Sequence, residues 1–359
     1  MKKKIVIVTC YHQPNYVRAQ TLRAALAAQR DVKLIVIKNN KTGILRYPEV
    51  LWRVWQVKRQ EKPDAFLLTF RGQEILPAML VLVGRTPLWF DEFIVPAAYA
   101  RFEKHKRSPA IIMKHIISRL GEPLYNFCLR RCRAVLSDTE AHAELGAKMG
   151  GVNMSRYTSV PVGADESIFF PKSSEKANPF QIFYYSSGMQ PLHGIPVVLD
   201  AAVMLQDDPV SFVLVGGKLP MKLAVHDAQK RGAHIRYESW MDIAELANTM
   251  RQSQLCLGGP FGGTRQALNV VTGKTYQSLA CGVATVIGDG HATGEPFIDK
   301  KNCLKVIQGD ATALVETIRW AVSHANGLTQ MGSAGRELYE KQFSTQALAG
   351  RLRPLIEAL

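Results

Sequence analysis

Gln181-Ile-Phe-Tyr-Tyr-Ser-Ser-Gly-Met-Gln-Pro-Leu-His-Gly-Ile-Pro-Val-Val-Leu199 reads as a strand, a glycine-bearing turn and the start of a helix. The run to Tyr185 is short and rich in bulky side chains, whereas Ile195, Val198, Leu199 and Ala202 recur at helical spacing. The same alternation extends outward in both directions. Toward the N-terminus, apolar bursts stand at Ile5–Val8, Val32–Ile37, Ala65–Phe70, Pro87–Phe90 and Ala134–Ser137. Toward the C-terminus they stand at Ser211–Val215, His234–Tyr237, Gln254–Leu257 and Ala284–Ile287. Bursts of this kind separated by helical stretches make parallel sheets covered on both faces, so the expected fold is α/β, with two doubly wound, Rossmann-like domains in tandem.

Length agrees, since 359 residues at about 150 per domain predict two domains, and 47% apolar residues suffice for two cores. The longest nearly unbroken apolar stretch, Ile75 to Gly84, is about half of the roughly 20 residues a spanning helix needs. The lysine-rich start imitates a signal peptide, but His12, Gln13 and Asn15 end its apolar run early, and it reads as a first strand. Six scattered cysteines lack zinc-site spacing and point to a reduced, cytoplasmic protein. Net charge is +15, and it is uneven: residues 1–150 hold 26 Lys and Arg against 12 Asp and Glu, a net of +14. A basic half beside a neutral one implies a face that meets something anionic.

The Gly-, Pro- and Ser-containing segment 163–179 has no periodic pattern and is read as the linker. It separates a domain over 1–162 from a second over 180–343, with a terminal amphipathic helix over 344–359. Ligands of open parallel sheets bind outside the carboxyl ends of the strands, so two such domains are expected to face each other across a cleft.

Within the opening stretch, Gly188 and His193-Gly194 could bring backbone amides at a helix start up to a phosphate, or could form an ordinary turn. Lys274 opens another helix in Thr272-Gly-Lys-Thr-Tyr-Gln-Ser-Leu-Ala-Cys-Gly282. A cation there opposes the macrodipole, which favours a bound anion. The Gly-Lys-Thr is no P-loop, because the position five before Gly273 is Leu268. Absence of Asp-x-Asp removes the simplest carboxylate pair for a divalent metal on a diphosphate, so no metal or cofactor is expected. Neither a Gly-x-Gly-x-x-Gly after the first strand nor a Gly-x-Ser-x-Gly elbow is present.

Four segments in register, Asp138-Thr-Glu-Ala-His142, Val160 to Pro171, Tyr184 to Gly194 and Lys274 to Gly282 with Glu295 beyond, resemble the GT-B glycosyltransferases of the group-1, or family 4, type. The resemblance implies a retaining transferase whose nucleotide-sugar donor is held mainly by the C-terminal domain. It implies that Lys274 and His193 meet the diphosphate, that Gln277 meets the ribose and that Trp240 stands near the base. Glu295 resembles the carboxylate downstream of the helix, and Gly188, Gly194, Gly216 and Thr275 complete the expected donor site. The family's glutamate pair falls here on Asn269 and Gln277, amides that accept hydrogen bonds but carry no charge.

On the acceptor side, Asp91 and Glu92 end the fourth strand, where they orient sugar hydroxyls or cap a helix; Asp91 is also counted with Lys274 and His193 among the catalytic candidates. His12, Asn15 and Arg18 follow the first strand, Arg18 reading either as a phosphate contact or as a solvated helix charge. His142 reads as a local scaffold residue. Basic and apolar residues mix over 101–133, and Lys104, Lys106, Arg107 and Lys114 there suit an anionic membrane face or a solvated helix side.

The leading expectation is a cytoplasmic glycosyltransferase, peripheral at the inner face of the cell membrane, that extends a glycan or lipid-linked acceptor in polysaccharide or glycolipid synthesis. A nucleotide-sugar-binding partner without activity is the alternative. Nucleic acid is not an expected partner, because no recognition motif accompanies the charge.

Overall fold

The computed structural model describes residues 2–96 and 121–359. The chain divides into two compact units, Met1–Val162 with Thr345–Leu359, and Gly163–Ser344.

In the first unit, β1 (Lys3–Thr9), β2 (Val32–Lys38), β3 (Ala65–Leu68), β4 (Leu88–Asp91), β5 (Ala134–Ser137) and β6 (Tyr157–Ser159) form a parallel sheet in the order β2-β1-β3-β4-β5-β6. Ile5 to Val8 and all of β3, β4 and β5 are buried, because an interior parallel strand has helices on both faces and needs an unbroken apolar run. Helices α1 (Val17–Ala27), α2 (Arg46–Glu61), α3 (Leu76–Val83) and α4 (Glu140–Gly150) connect the strands. Strand order reverses between β1 and β3, the place where sheets of this kind bind ligands.

The second unit holds β7 (Phe180–Tyr185), β8 (Val210–Val215), β9 (Ile235–Glu238), β10 (Leu255–Leu257), β11 (Thr285–Asp289) and β12 (Leu304–Ile307) in the order β12-β11-β10-β7-β8-β9. Its helices are α5 (Ile195–Met204), α6 (Leu219–Lys230), α7 (Ile243–Gln252), α8 (Gly273–Ala280), α9 (Ala311–Ser323) and α10 (Ala325–Gln342). The order reverses between β7 and β10. Residues 163–179 belong to this unit and strap onto the end of α7, where the Ala177 amide donates to the Gln252 carbonyl at 2.9 Å.

All ten apolar bursts are strands, and β6 and β12 are strands that the sequence did not announce. One boundary matters below: β3 stops at Leu68, so Thr69 and Phe70 belong to the following loop. The terminal helix, α11 (Thr345–Glu357), completes the first unit. Leu348, Leu352 and Ile356 pack with Leu22, Leu26, Ile5 and Ile7, and Arg353 binds both oxygens of Asp31 at 2.7 and 2.9 Å.

Candidate functional site

The reversal point of the second sheet is crowded with glycine for a steric reason. Gly194, at φ +66°, ends the turn Pro191–His193 and precedes α5. A Cβ on it would lie 2.4 Å from the Phe261 carbonyl carbon and 2.5 Å from the Gly262 nitrogen. The loop after β7 therefore crosses the loop after β10 backbone to backbone, tied by the Gly262 amide donating to Leu192 at 3.0 Å. Gly194→Ala is expected to destabilise the second unit by about 1 kcal/mol or more through backbone strain alone and to weaken UDP binding by about tenfold. Thermal unfolding and calorimetry check this, and an unchanged UDP Kd would detach the crossing from binding.

Beside this crossing stands α8. The helix is enclosed, Lys274 through Ala280 all being buried. Lys274 is only 6% exposed, and its ammonium lies 3.4 Å from His193 Nδ1, 5.2 Å from the centroid of the Tyr184 ring and 5.7 Å from that of Tyr185. Burial pushes its pKa down to about 7. His193 is held neutral, its pKa pushed down to about 2 by burial and then by the Lys274 charge. An ammonium can only donate, so Nδ1 accepts and the imidazole proton sits on Nε2, ready to donate to an oxyanion. The Tyr184 hydroxyl donates to the His193 carbonyl at 2.9 Å and fixes the turn.

The other donor-side candidates fall as follows. Thr275 is buried, its hydroxyl donating to the Gly259 carbonyl at 3.3 Å. Gln277 accepts a short hydrogen bond from the Tyr185 hydroxyl, and Asn269 donates to the Arg265 carbonyl at 2.9 Å. Nothing crowds Gly188, whose carbonyl accepts from Ser186, and Gly216, at φ +94°, packs on the Ser186 carbonyl. Trp240 follows β9 at 76% exposure, and Glu295, beyond β11, is also exposed. Contacts thus join Lys274, His193 and the tyrosine pair, with Gln277 reached through Tyr185. The sequence reading had not given Tyr184 and Tyr185 a role in the site. Their signal was two adjacent aromatics closing a strand that leads into a glycine turn.

A cavity of about 570 Å³ in the same unit lies at the other end of α8, by Cys281 and Gly282. Its Lys176 and Arg336 cap the carboxyl ends of α7 and α8 through the Arg251 and Ala280 carbonyls at 2.9 and 2.6 Å. It is a helix-capping region, apart from the Lys274 cluster.

In the first unit the acceptor-side carboxylates are placed differently from the expectation. Asp91 is fully buried against Arg18, accepting from Nε at 3.1 Å and Nη2 at 2.9 Å, and it also accepts from the Phe70 amide at 3.2 Å. Arg18 is therefore not a solvated helix charge: it is 0% exposed and also donates to the Val160 and Pro161 carbonyls. Asp91 is buried and supports the loop after β3, and among the described residues it caps no helix. Glu92 is likewise buried, accepting from the Tyr125 and Tyr157 hydroxyls at 2.5 and 2.6 Å, and burial raises its pKa. His142, its Nδ1 2.7 Å from Asp138, packs in the same interior. Burial opposes its protonation, yet the adjacent Asp138 carboxylate prevails and its pKa is raised. His12 and Asn15 are exposed. Lys104, Lys106, Arg107 and Lys114 lie outside the described residues.

Residues 201–353 match the glycosyl transferase-like family model. The chain has the GT-B fold. In structure it is similar to HepE of Anabaena in complex with UDP-glucose, at TM-score 0.73 and 14% identity over 99% of this chain and 100% of that one. Similarity to sucrose-phosphate synthase of Thermosynechococcus elongatus gives TM-score 0.75 and 14% identity over 99% of both chains. TarM aligns at TM-score 0.62 and 12% identity, over 85% of this GT-B chain and 58% of that protein. No curated protein sequence matches. Among the described residues, no helix is long and apolar enough to cross a membrane.

Proposed function

We propose that this chain moves a hexosyl group from a nucleotide diphosphate, UDP first among the candidates, to a glycan or lipid-linked acceptor with retention of anomeric configuration. The observation that carries the reading is the buried Lys274 ammonium beside neutral His193 at the reversal point of the second sheet. Such a cluster suits a diphosphate leaving group. As the bond from the anomeric carbon to the phosphate oxygen breaks, negative charge grows on that oxygen, and Lys274, His193 Nε2–H and the first amides of α8 stabilise it. The acceptor hydroxyl then attacks from the face the diphosphate leaves, its proton passing to the departing phosphate. On this reading no metal is required, the charge being met by protein groups. Cell-surface polysaccharide or glycolipid synthesis at the inner membrane face is the proposed setting, and the UDP-glucose in the HepE structure supports the choice of nucleotide.

Amides at Asn269 and Gln277 favour the second reading, a binding partner without turnover, because neither can supply negative charge. Calorimetric titration with UDP-, GDP-, ADP- and dTDP-sugars tests both, the first reading requiring turnover as well as binding. Free UDP affinity is expected to fall as pH rises from 7 to 9, by up to about tenfold per unit, with net proton uptake on binding. The sign follows from Lys274: its pKa near 7 in the free protein rises beside a diphosphate, so the complex holds more protons. Phosphate titrates below this window, near pH 6. A flat pH profile would separate Lys274 from the phosphates.

A further inference from the structure

The first sheet has its own reversal point, and the cation standing there was not among the expected site residues. Arg71 follows β3 in Thr69-Phe70-Arg71-Gly72. It is one of three non-glycine residues with positive φ among the described residues, at +65°, a conformation an L side chain adopts at a cost of about 1 kcal/mol or more. Its Nε is buried with no hydrogen-bond partner, and its guanidinium lies 5.1 Å from the centroid of the Phe70 ring. Among the described residues no carboxylate pairs with it.

The surroundings hold that strained conformation firmly. The Phe70 amide donates to Asp91, the carboxylate locked by Arg18. The Thr69 hydroxyl bonds the Thr9 hydroxyl at 3.0 Å, and the Gly72 amide closes the turn onto Thr69 at 3.1 Å. A set of rings from the loops after β1, β3 and β4 gathers there: Tyr11 and Tyr16 lie 5.6 and 5.7 Å from Phe70, and Phe93 lies 4.9 Å from it. Strain over-determined by its neighbours, a guanidinium without a carboxylate partner among the described residues and the partly exposed Tyr11, Tyr16 and Phe93 rings around buried Phe70, all at a strand-order reversal, are features of a ligand site.

Resting on the glycosyltransferase reading, we propose that Arg71 and the Tyr11, Tyr16, Phe70 and Phe93 rings form the acceptor subsite, and that the acceptor is an anionic saccharide. Its phosphate or carboxylate meets the Arg71 guanidinium, and its sugar ring packs on the aromatic edge. A neutral acceptor would leave the strained guanidinium unmatched.

Saturation-transfer NMR, with UDP added to occupy the donor site, tests this using α-D-glucose 1-phosphate, D-glucuronate and methyl α-D-glucoside as probes. At least one anionic probe is expected to bind the parent protein more tightly than methyl α-D-glucoside, and the better of the two assigns the anion as phosphate or carboxylate. Arg71→Gln should weaken that probe by about tenfold or more, Arg71→Lys by less, and neither should change UDP affinity or Tm. Equal binding of charged and neutral probes, binding of none of them, or an undiminished Arg71→Gln variant would overturn the subsite. Parent protein that binds an anionic probe but no nucleotide would instead strike the donor reading, because the two ligands are read separately.

Discussion

Replacing Lys274 by alanine is expected to lower turnover by about a hundredfold or more, the loss typical when one charge-stabilising contact to a transition state is removed. Structural cost should not confuse the result. The ammonium is 94% buried, opens a helix whose dipole repels it and among the described residues is met by His193 and two aromatic faces, so it strains the folded protein before a ligand arrives. With a folded pKa near 7 and an ordinary value of 10.5, the unfolded chain binds more protons between those limits, and the lysine's contribution to stability becomes less unfavourable as pH rises through them. Lys274→Ala should therefore keep or raise Tm at neutral pH while kcat collapses. Lys274→Met preserves the stem's packing and is expected to be equally inactive. Near-parental turnover in either variant would refute the assignment.

The second large effect runs the opposite way. Asp91→Ala leaves the Arg18 guanidinium buried without its carboxylate and should cost about 3–5 kcal/mol, a fall in Tm of about 10 °C or more for the first unit. Replacing both partners, Arg18→Met with Asp91→Leu, is expected to recover much of that loss, because the pair's desolvation cost disappears with its attraction. A carboxylate that touches substrate would show lost activity at unchanged Tm instead. Equilibrium unfolding of the two single variants and the double variant separates these outcomes, and the same unfolding curves report whether the Phe70 loop, which Asp91 anchors, remains ordered.

Legibility followed locality. Interior parallel strands are buried on both faces, so Ile5–Val8 and Ala65–Leu68 announce themselves as unbroken apolar runs. Strand β6 has three residues, Tyr157, Thr158 and Ser159, and edge strand β12 alternates buried and exposed positions; neither carries enough local pattern to stand out. In the second unit the phosphate-site candidates were readable because a lysine at a helix start and glycines in a strand-to-helix turn are features visible within a few residues, whereas the close crossing at Gly194 depends on Phe261 and Gly262 far along the chain. On the acceptor side, Asp91 and Arg18 are 73 positions apart, and a carboxylate at the end of a strand reads the same whether it faces a sugar or a buried guanidinium.

Sequence alone determined the α/β class and the strand runs, and it singled out the loops in which a donor anion is proposed to be met, since these rest on periodicity, glycine and the charge of single side chains. Tertiary structure decided what could be settled only by bringing distant segments together. It joined the C-terminal helix to the first unit, where Leu348, Leu352 and Ile356 find the apolar face of α1 and the sheet. It placed Arg18, Asp91 and Glu92 in the interior as buried supports, and it left Arg71 without a carboxylate partner among the described residues at the reversal point. A side chain's charge is written in the sequence, but its partner and its access to water depend on neighbours that only the fold supplies.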